Sequence, residues 1–321
     1  MAAQFSIVAT DAIHPDAIAL LEPLGGVTLP ADDSEAALRA AVAGADALIV
    51  RRKLPDDLFD GAPKLKFVVR HGAGLDYIPV AAATAAGIAV ANQPDANTNA
   101  VAEHVIGALL TISRRQGWLQ ERLLAGDWAA RNGAGTFELR GRTLGIVGLG
   151  RIGSAVADAA HFGLGMAVLG HHPSRTDWPA HVTSTPLDAL AAAADFVTFH
   201  TPLTETTRHI VDARLLARMP PHAWLINAAR GELIDDDALV AALRARRIAG
   251  AALDVYAPEP LAADSPYRDL DNVLLTPHTA ALTGEAVYRM SMGSAGDVRR
   301  VLGGERPGNL VNPEVWDRRR T

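Results

Sequence analysis

The sequence predicts an α/β protein with two doubly wound parallel sheets, the second inserted into the domain that holds the first. Short apolar strands alternate with helices up to residue 91, and the alternation starts again at Thr143. Strands separated by helices pair in parallel, and the helices then cover both faces of the sheet. A glycine-rich turn at 148–153 opens the second series. In such sheets ligands bind beyond the carboxyl ends of the strands.

The first series consists of strands and helices that end before residue 92. Short apolar runs predict the strands, and Ser34 is the expected N-cap of the second helix. The predicted strands are Phe5–Thr10, Ala47–Val50, Leu65–Arg70 and Ile88–Ala91, and the predicted helices are Pro15–Leu21, Ser34–Ala43 and Val80–Ala86.

A long helix is predicted next, capped by Thr98 or Asn99 and ending at Arg114. The following segment, 117–139, carries aromatic residues between polar ones and has little internal regularity. It is either a packed loop or a contact between two copies of the chain. Because aromatic side chains are enriched at interface cores, the second interpretation is favoured and predicts a homodimer.

The second series is expected to return to the first domain through a final helix. Residues 303–321 are polar and are expected to be partly mobile. The predicted domains are residues 1–100 with 285–321, and residues 101–284. The predicted strands are Thr143–Val147, Met166–Gly170, Asp195–Phe199, Ala223–Asn227, Ile248–Leu253 and Val273–Leu275, and the helices include Asp235–Arg246 and Gly284–Leu302.

The composition excludes several classes of function. The formal charge of −6 and the absence of a basic run argue against nucleic-acid binding. The chain has no cysteine, so disulfides and thiolate metal sites are excluded, and no other metal-ligand cluster is found. The N-terminal residues lack the pattern of a signal peptide, and no apolar run has the length of a membrane span. These features predict a cytoplasmic protein that binds neither membranes nor nucleic acids.

The turn at 148–153 has the residue pattern of a dinucleotide site in a Rossmann-type domain. Gly148 permits the tight turn, and Gly150 has no side chain to block a pyrophosphate. Gly153 lets the helix pack closely on the strand, and the free N–H groups at the helix start face the anion.

The end of the next strand bears on the choice of cofactor. A carboxylate usually binds the ribose 2′-OH of NAD about 20 residues after the first glycine, but here the sequence has Gly170 to Arg175 and no acid before Asp177. Ser174, Arg175 and a protonated His172 are able to bind a 2′-phosphate. NADP(H) is therefore favoured. The alternative is a solvated polar loop that accepts NAD(H).

Seven segments together resemble the D-isomer-specific 2-hydroxyacid dehydrogenase family, and within it the glyoxylate and hydroxypyruvate reductases. They occur in the family's order over about two-thirds of the chain. The segments are residues 70–76, 97–104, 148–153, 195–204, 225–231, 253–260 and 276–279.

The resemblance implies a catalytic set of Arg230, Glu259 and His278. Reduction of a 2-oxo acid needs a cation that holds the carboxylate and polarises the carbonyl, which suits the planar fork of arginine. It also needs a proton donor, a role that suits histidine. A glutamate beside that histidine favours its protonated form.

The resemblance also implies positions for the cofactor and the substrate. The amides of Ala73, Gly74 and Leu75 are expected to hold the substrate carboxylate. Arg51 and Arg70 either bind a second anionic group of the substrate or, in the slightly favoured interpretation, pair with nearby carboxylates. Further residues expected at the cofactor are Val101, Arg151, Ile152, His200, Thr201, Pro202, Thr207, Ala228, Ala229 and Asp254, with Arg230 and His278 contacting both cofactor and substrate.

The predicted function is therefore reduction of a small 2-oxo acid to a D-2-hydroxy acid with NAD(P)H, with glyoxylate or hydroxypyruvate as the substrate, in a cleft between the domains. A phosphoglycerate-type dehydrogenase is the first alternative and is disfavoured because no third domain follows Leu302. A protein that binds the nucleotide without turnover is a second alternative. A formate-type dehydrogenase is a third, and it would leave the acid–base pair without a task.

Overall fold

The computed structural model describes residues 5–320. Residues 1–4, at the start of the predicted segment 1–100, lie outside the described part. So does Thr321, at the end of the predicted segment 285–321. The chain divides into two compact units, one containing the residues up to Asn97 together with those from Leu282 onward, the other Thr98–Ala281. Each unit has one parallel sheet. The predicted fold class is confirmed.

Up to Asn97 the described chain alternates between short strands and helices. Ser34 caps the second helix as predicted, because its hydroxyl accepts a hydrogen bond from Ala37 N at 3.1 Å. The strands are β1 (Ile7–Ala9), β2 (Val27–Thr28), β3 (Ala47–Val50), β4 (Phe67–Arg70) and β5 (Ala89–Ala91), and the helices are α1 (Pro15–Leu21), α2 (Glu35–Val42) and α3 (Val80–Ala85).

The inserted unit begins with two helices and continues as an alternating series, and the chain then re-enters the first unit as one long helix, α10 (Gly284–Leu302). The helices of the inserted unit are α4 (Thr98–Arg114), α5 (Gln116–Leu124), α6 (Arg151–Asp158), α7 (Leu187–Ala193), α8 (Ala213–Leu216) and α9 (Asp236–Arg244). Its strands are β6 (Thr143–Val147), β7 (Ala167–His171), β8 (Val182–Ser184), β9 (Phe196–Phe199), β10 (Trp224–Asn227), β11 (Gly250–Leu253) and β12 (Val273–Leu275).

The first sheet has the order β2-β1-β3-β4-β5, with all its strands parallel. Its two faces are covered by separate apolar clusters. One contains Val8, Leu48 and Val68, and the other contains Ile7, Ile49 and side chains of α10. Because β1, β3, β4 and β5 are buried on both faces, they are apolar without alternation, which is why the sequence pattern located them.

The second sheet has the order β12-β11-β10-β9-β6-β7-β8, again with all its strands parallel. The chain first moves outward from β6 to β8 and then crosses back to β9 on the other side of β6. A crevice forms at such a reversal, beyond the carboxyl ends of the two central strands. The turn after β6 and the residues after β9 therefore lie where a ligand is expected.

Two segments are more ordered than the sequence suggested. The 117–139 segment lies largely within α5 and a 3₁₀ turn at Trp128–Asn132.

The described C-terminal residues pack on the first unit, so the expectation of a mobile 303–321 segment is wrong for residues 303–320. Val315 is fully buried. The side chain of Asn312 accepts from Val90 N at 2.8 Å and donates to Ile88 O at 2.9 Å.

Within residues 5–320 no helix has both the length and the apolar character needed to span a bilayer. The same residues contain no group of three or more His, Cys, Asp or Glu side chains arranged to hold a metal ion.

Candidate active site

Five strands of the second sheet end at one edge, and each is followed by residues with chemical functions. Because the strands are parallel, their carboxyl ends meet at the same edge of the sheet. β6 leads to Gly148, β9 to His200, β10 to Arg230, β11 to Asp254 and Glu259, and β12 to His278.

The glycine turn has the shape that a pyrophosphate site requires. A Cβ on Gly148 would lie 2.6 Å from the carbonyl carbon of His200, and one on Gly153 would lie 2.1 Å from the oxygen of Gly148. Both positions therefore exclude a side chain. A Cβ on Gly150 would meet no atom within 4 Å, and Gly150 is the N-cap of α6 without a side-chain cap. The N-terminus of α6, including Ile152, is thus open to an anion, and the turn fits a dinucleotide.

Beyond β7, the loop that would face the ribose carries basic and hydroxyl groups. Arg175 donates to the carbonyl of Leu149 in the glycine turn, and its Nη1 lies 3.5 Å from Ser154 Oγ. The N–H of Ser174 donates to Nδ1 of His172 at 3.3 Å. The Arg175 guanidinium therefore lies against the turn that would hold the pyrophosphate.

Hydrogen bonds to β6 and within the segment itself fix the residues that follow β9. His200 N donates to Val147 O at 2.7 Å, which joins this segment to the end of β6. The Thr207 hydroxyl donates to Pro202 O at 2.7 Å and so closes the turn that begins at Thr201. Burial lowers the pKa of His200 to about 4, so its imidazole is neutral at pH 7. Val101 of α4, another predicted cofactor residue, is only 4% exposed.

His278 and Glu259 form a close pair. Nδ1 of His278 lies 2.7 Å from Oε2 of Glu259, and their side chains are 37% and 30% exposed. A carboxylate only accepts hydrogen bonds, so the proton of the ring is assigned to Nδ1 and Nε2 is left for another partner. The other carboxylate oxygen, Oε1, accepts from Tyr256 N at 3.1 Å.

The charge of Glu259 is stabilised by its neighbours. Burial alone raises the pKa of this carboxyl. The hydrogen bond and charge of His278, the Tyr256 N–H and the charge of Arg230 outweigh burial, so the pKa lies below its ordinary value. Glu259 is therefore an anion at neutral pH and can accept the hydrogen bond from Nδ1 of His278.

Arg230 stands on a turn that depends on two neighbouring residues. Asn227 donates to Arg230 O at 2.8 Å and accepts from Ala229 N at 3.0 Å, so it fixes the course of the chain through Ala228. A Cβ on Gly231 would lie 2.1 Å from the carbonyl carbon of Tyr256. Only glycine permits this approach, which brings the Arg230 turn against the segment that carries Glu259.

Asp254 organises the loop that carries His278. Its carboxylate is buried and accepts from Thr276 Oγ1 at 2.6 Å, Thr279 N at 2.9 Å and Ala280 N at 2.8 Å. These bonds lie on both sides of His278 along the chain, so one buried carboxylate fixes the position of that residue.

Tyr256 was missed by the sequence analysis. Its hydroxyl lies 2.9 Å from Leu253 O and 2.8 Å from Thr276 O, and therefore links the ends of β11 and β12. Burial, with the charge of Asp254, raises its pKa to about 12. Its place between a strand end and the Pro-Glu-Pro segment is the only sequence signal for this role, and that signal is weak.

The remaining predicted residues belong to the other unit. Ala73, Gly74 and Leu75 form a partly exposed loop after β4. Arg51 donates to the carbonyl of Ala12, and residues 5–320 show no ion pair between Arg51 and a carboxylate. The Arg70 guanidinium donates to three carbonyl oxygens, those of Val50, His71 and Gly74.

Comparison with known proteins decides the family. The profile described as "D-isomer specific 2-hydroxyacid dehydrogenase, NAD binding domain" matches residues 106–280. The chain belongs to this family. The resemblance found in the sequence is confirmed, and so is a nicotinamide dinucleotide as the class of cofactor for the Thr98–Ala281 unit.

Individual members of the family show similarity over most of the chain. A D-3-phosphoglycerate dehydrogenase of Methanocaldococcus jannaschii is 40% identical over 95% of this chain, but the match spans 59% of that relative's length. A glyoxylate reductase of Thermofilum pendens is 39% identical over 82% of this chain and 79% of its own. The structure of an NADPH-dependent glyoxylate/hydroxypyruvate reductase of Sinorhizobium meliloti, in complex with NADP and malonate, superposes with a TM-score of 0.86 at 30% identity, covering 97% of this chain and 98% of that one.

The glycine turn gives a direct test of nucleotide binding. We expect Gly150→Ala to fold normally, since the new Cβ meets no atom, yet to weaken NADPH and NADH binding at least about tenfold by meeting the pyrophosphate. Titration of nicotinamide fluorescence measures the change. Gly163→Ala, which also adds a Cβ in open space, is the control. Binding by Gly150→Ala as tight as that of the wild type would contradict a pyrophosphate at this turn.

Proposed function

We propose that this protein reduces a small 2-oxo acid to a D-2-hydroxy acid with NAD(P)H, and that glyoxylate or hydroxypyruvate is the substrate. The observation that carries the proposal is the pair of His278 and Glu259, whose Nδ1 and Oε2 atoms lie 2.7 Å apart. The positive charge of Arg230 also helps to lower the pKa of Glu259. Family membership and the similarity to a glyoxylate reductase support it.

Each member of this set has one task. Arg230 binds the carboxylate of the 2-oxo acid and polarises its carbonyl group. Nε2 of His278 donates a proton to the carbonyl oxygen, while Glu259 holds Nδ1 and keeps the ring oriented. When bound, the nicotinamide supplies the hydride to the carbonyl carbon. Hydride and proton together convert the carbonyl to an alcohol.

The cofactor would be held by the strand ends described above. We assign the pyrophosphate to Gly148, Gly150 and Gly153 with the amides of Arg151 and Ile152. The adenosine side falls to His200, Thr201, Pro202 and Thr207, and the nicotinamide side to Val101, Ala228, Ala229 and Asp254. The Oδ2 atom of Asp254 accepts one hydrogen bond, from Ala280 N, so a carboxamide N–H has a lone pair to which it can donate.

We further propose NADP(H) as the preferred form. The support is the Arg175 guanidinium on the glycine turn, with Ser174 and His172 in the same loop. The S. meliloti relative is named as NADPH-dependent. A 2′-phosphate would receive charge-assisted hydrogen bonds from arginine. NAD(H) remains the alternative.

In the other unit we assign the substrate carboxylate to the amides of Ala73, Gly74 and Leu75. Arg51 is proposed for a second anionic group on larger substrates. This group is the basis of a second candidate function, that of a phosphoglycerate-type dehydrogenase, which the 40% identity to the M. jannaschii relative favours.

Initial rates test the proposal. We expect hydroxypyruvate and glyoxylate to be reduced, with a larger kcat/KM for NADPH than for NADH. His278→Gln should lower kcat by about 10² to 10⁴, because the proton donor is lost.

The same assay separates the alternatives. A preference for 3-phosphohydroxypyruvate over hydroxypyruvate would favour the phosphoglycerate-type activity. A larger kcat/KM with NADH would refute the cofactor preference. Tight nucleotide binding without reduction of any of the three acids would refute the enzyme and favour a protein that only binds the nucleotide.

The pKa of Glu259 predicts a specific pH dependence. The carboxylate stays ionised, and able to accept the hydrogen bond from Nδ1 of His278, down to a pH below the ordinary carboxyl pKa. With Glu259→Gln this position cannot ionise, so we expect the acid limb of kcat/KM for reduction, which in the wild type lies below the ordinary carboxyl pKa, to be lost, and kcat/KM at neutral pH to fall. Glu138→Gln, at an exposed carboxylate of the same unit, is the control. An unchanged profile would mean that the charge of Glu259 does not act on the proton donor.

We propose that two copies associate through the segment 117–139. Leu123, Leu124 and Trp128 are 54%, 79% and 67% exposed, and exposed apolar clusters commonly mark interfaces. Sedimentation equilibrium should give twice the mass of the 33.8 kDa chain, and Leu124→Glu with Trp128→Glu should reduce it to one chain. A single-chain mass for the wild type at micromolar concentration would contradict the dimer.

A further inference from the structure

The loop after β4 has all its carbonyl oxygens, from residue 71 to residue 75, engaged in hydrogen bonds. Arg70 holds the first and the fourth, and neighbouring segments hold the others. The bonds are Arg70 Nη1 to His71 O at 2.9 Å, Gln93 N to Gly72 O at 2.8 Å, Asn92 Nδ2 to Ala73 O at 2.6 Å, Arg70 Nε to Gly74 O at 3.2 Å and Ile78 N to Leu75 O at 3.0 Å.

The amides of the same loop are in the opposite situation. Across residues 5–320, no group accepts a hydrogen bond from the backbone N–H of Ala73, Gly74 or Leu75. These residues are partly exposed, so the three donors are available to a ligand. Consecutive N–H groups without partners form a concavity that binds anions. The carbonyl oxygens of the loop therefore fix its position, and the N–H groups of Ala73, Gly74 and Leu75 remain available to a ligand.

The side chain of Arg70 holds both ends of this loop. Besides His71 O and Gly74 O, its Nη1 donates to Val50 O at 2.8 Å, at the end of β3. The guanidinium carbon lies 4.5 Å from the ring centre of Tyr77. A planar group with donors in fixed directions can satisfy several carbonyls at once, whereas an ammonium group is a compact point charge. The positive charge also polarises the peptide units, which strengthens their N–H groups as donors.

We propose that Arg70 is a positioning residue, which orders the 73–75 loop so that its amides receive the carboxylate of the 2-oxo acid. This inference rests on the proposed function and deepens it. In this proposal Arg70 has the same role for every 2-oxo acid, whatever its distal group. Arg51, in contrast, is proposed to bind the distal anionic group.

Kinetics with three substrates test this role. We expect Arg70→Lys and Arg70→Met to lower kcat/KM by about 100-fold for glyoxylate, hydroxypyruvate and 3-phosphohydroxypyruvate alike, with an unchanged KM for the cofactor. Arg70→Lys should not restore activity, because an ammonium group keeps the positive charge but lacks the planar set of donors that holds the carbonyl oxygens. Arg39→Met, at a partly exposed arginine of the same unit, is the control. A loss confined to the phosphorylated acid, or rescue by lysine, would overturn the proposal in favour of direct contact with the distal group.

A second measurement, hydrogen exchange, does not depend on turnover. Hydrogen exchange of the protein without ligand should show faster exchange at Gln93 N–H and Ile78 N–H in Arg70→Met, because their acceptors belong to the loop, with an unchanged unfolding midpoint. Oxalate should protect the amides of Ala73 to Leu75 in the wild type and not in the variant. If no acid is reduced by the wild type, the proposed function fails while these results still decide the role of Arg70. Equal exchange and equal oxalate protection in both proteins would overturn it.

Discussion

The candidate active site depends on one buried carboxylate. Asp254 follows β11 and accepts three short hydrogen bonds from residues 276–280, so it fixes the segment in which His278 stands. A buried charge is costly unless donors surround it, and here the donors are the hydroxyl and amides of that segment. The position of His278, the proposed proton donor, is therefore tied to the end of a sheet strand. Glu259 can act on Nδ1 of His278 only because this tie places the ring beside it.

The same logic extends to Arg230. Gly231 permits contact with the Tyr256 backbone, and Asn227 shapes the turn before it. In this way three strand ends, those of β10, β11 and β12, are connected by short-range contacts rather than by loops of free length. The candidate catalytic side chains follow the ends of hydrogen-bonded strands, and such regular elements hold side chains more precisely than loops of free length do.

Much of this arrangement is readable in the sequence, for a physical reason. Strands buried on both faces are continuously apolar, so β3, β9 and β10 and the residues that follow them are easily located, and Gly148 to Gly153 marks the reversal of the sheet. Short edge strands such as β2 and β8 carry no such pattern. The packing of residues 303–320 was also hidden, since it depends on Asn312 meeting the backbone at Ile88 and Val90, far away in sequence. Hydroxyl and carbonyl contacts such as those of Tyr256 and Arg70 depend on local backbone direction, which residue types do not encode.

The discontinuous unit has a consequence for how the chain is made. Within residues 5–320, the outer edge of β5, opposite β4, pairs with residues 310–312 through the Ala91–Leu310 bridge, the bond from Val311 N to Val90 O and the side chain of Asn312. On the ribosome the whole Thr98–Ala281 unit is synthesised before those residues exist. The inserted unit can therefore complete its sheet while the first unit still has an open β-edge, the kind of edge that invites pairing with other chains. During this interval a nascent-chain chaperone would have most to protect at the N-terminal sheet.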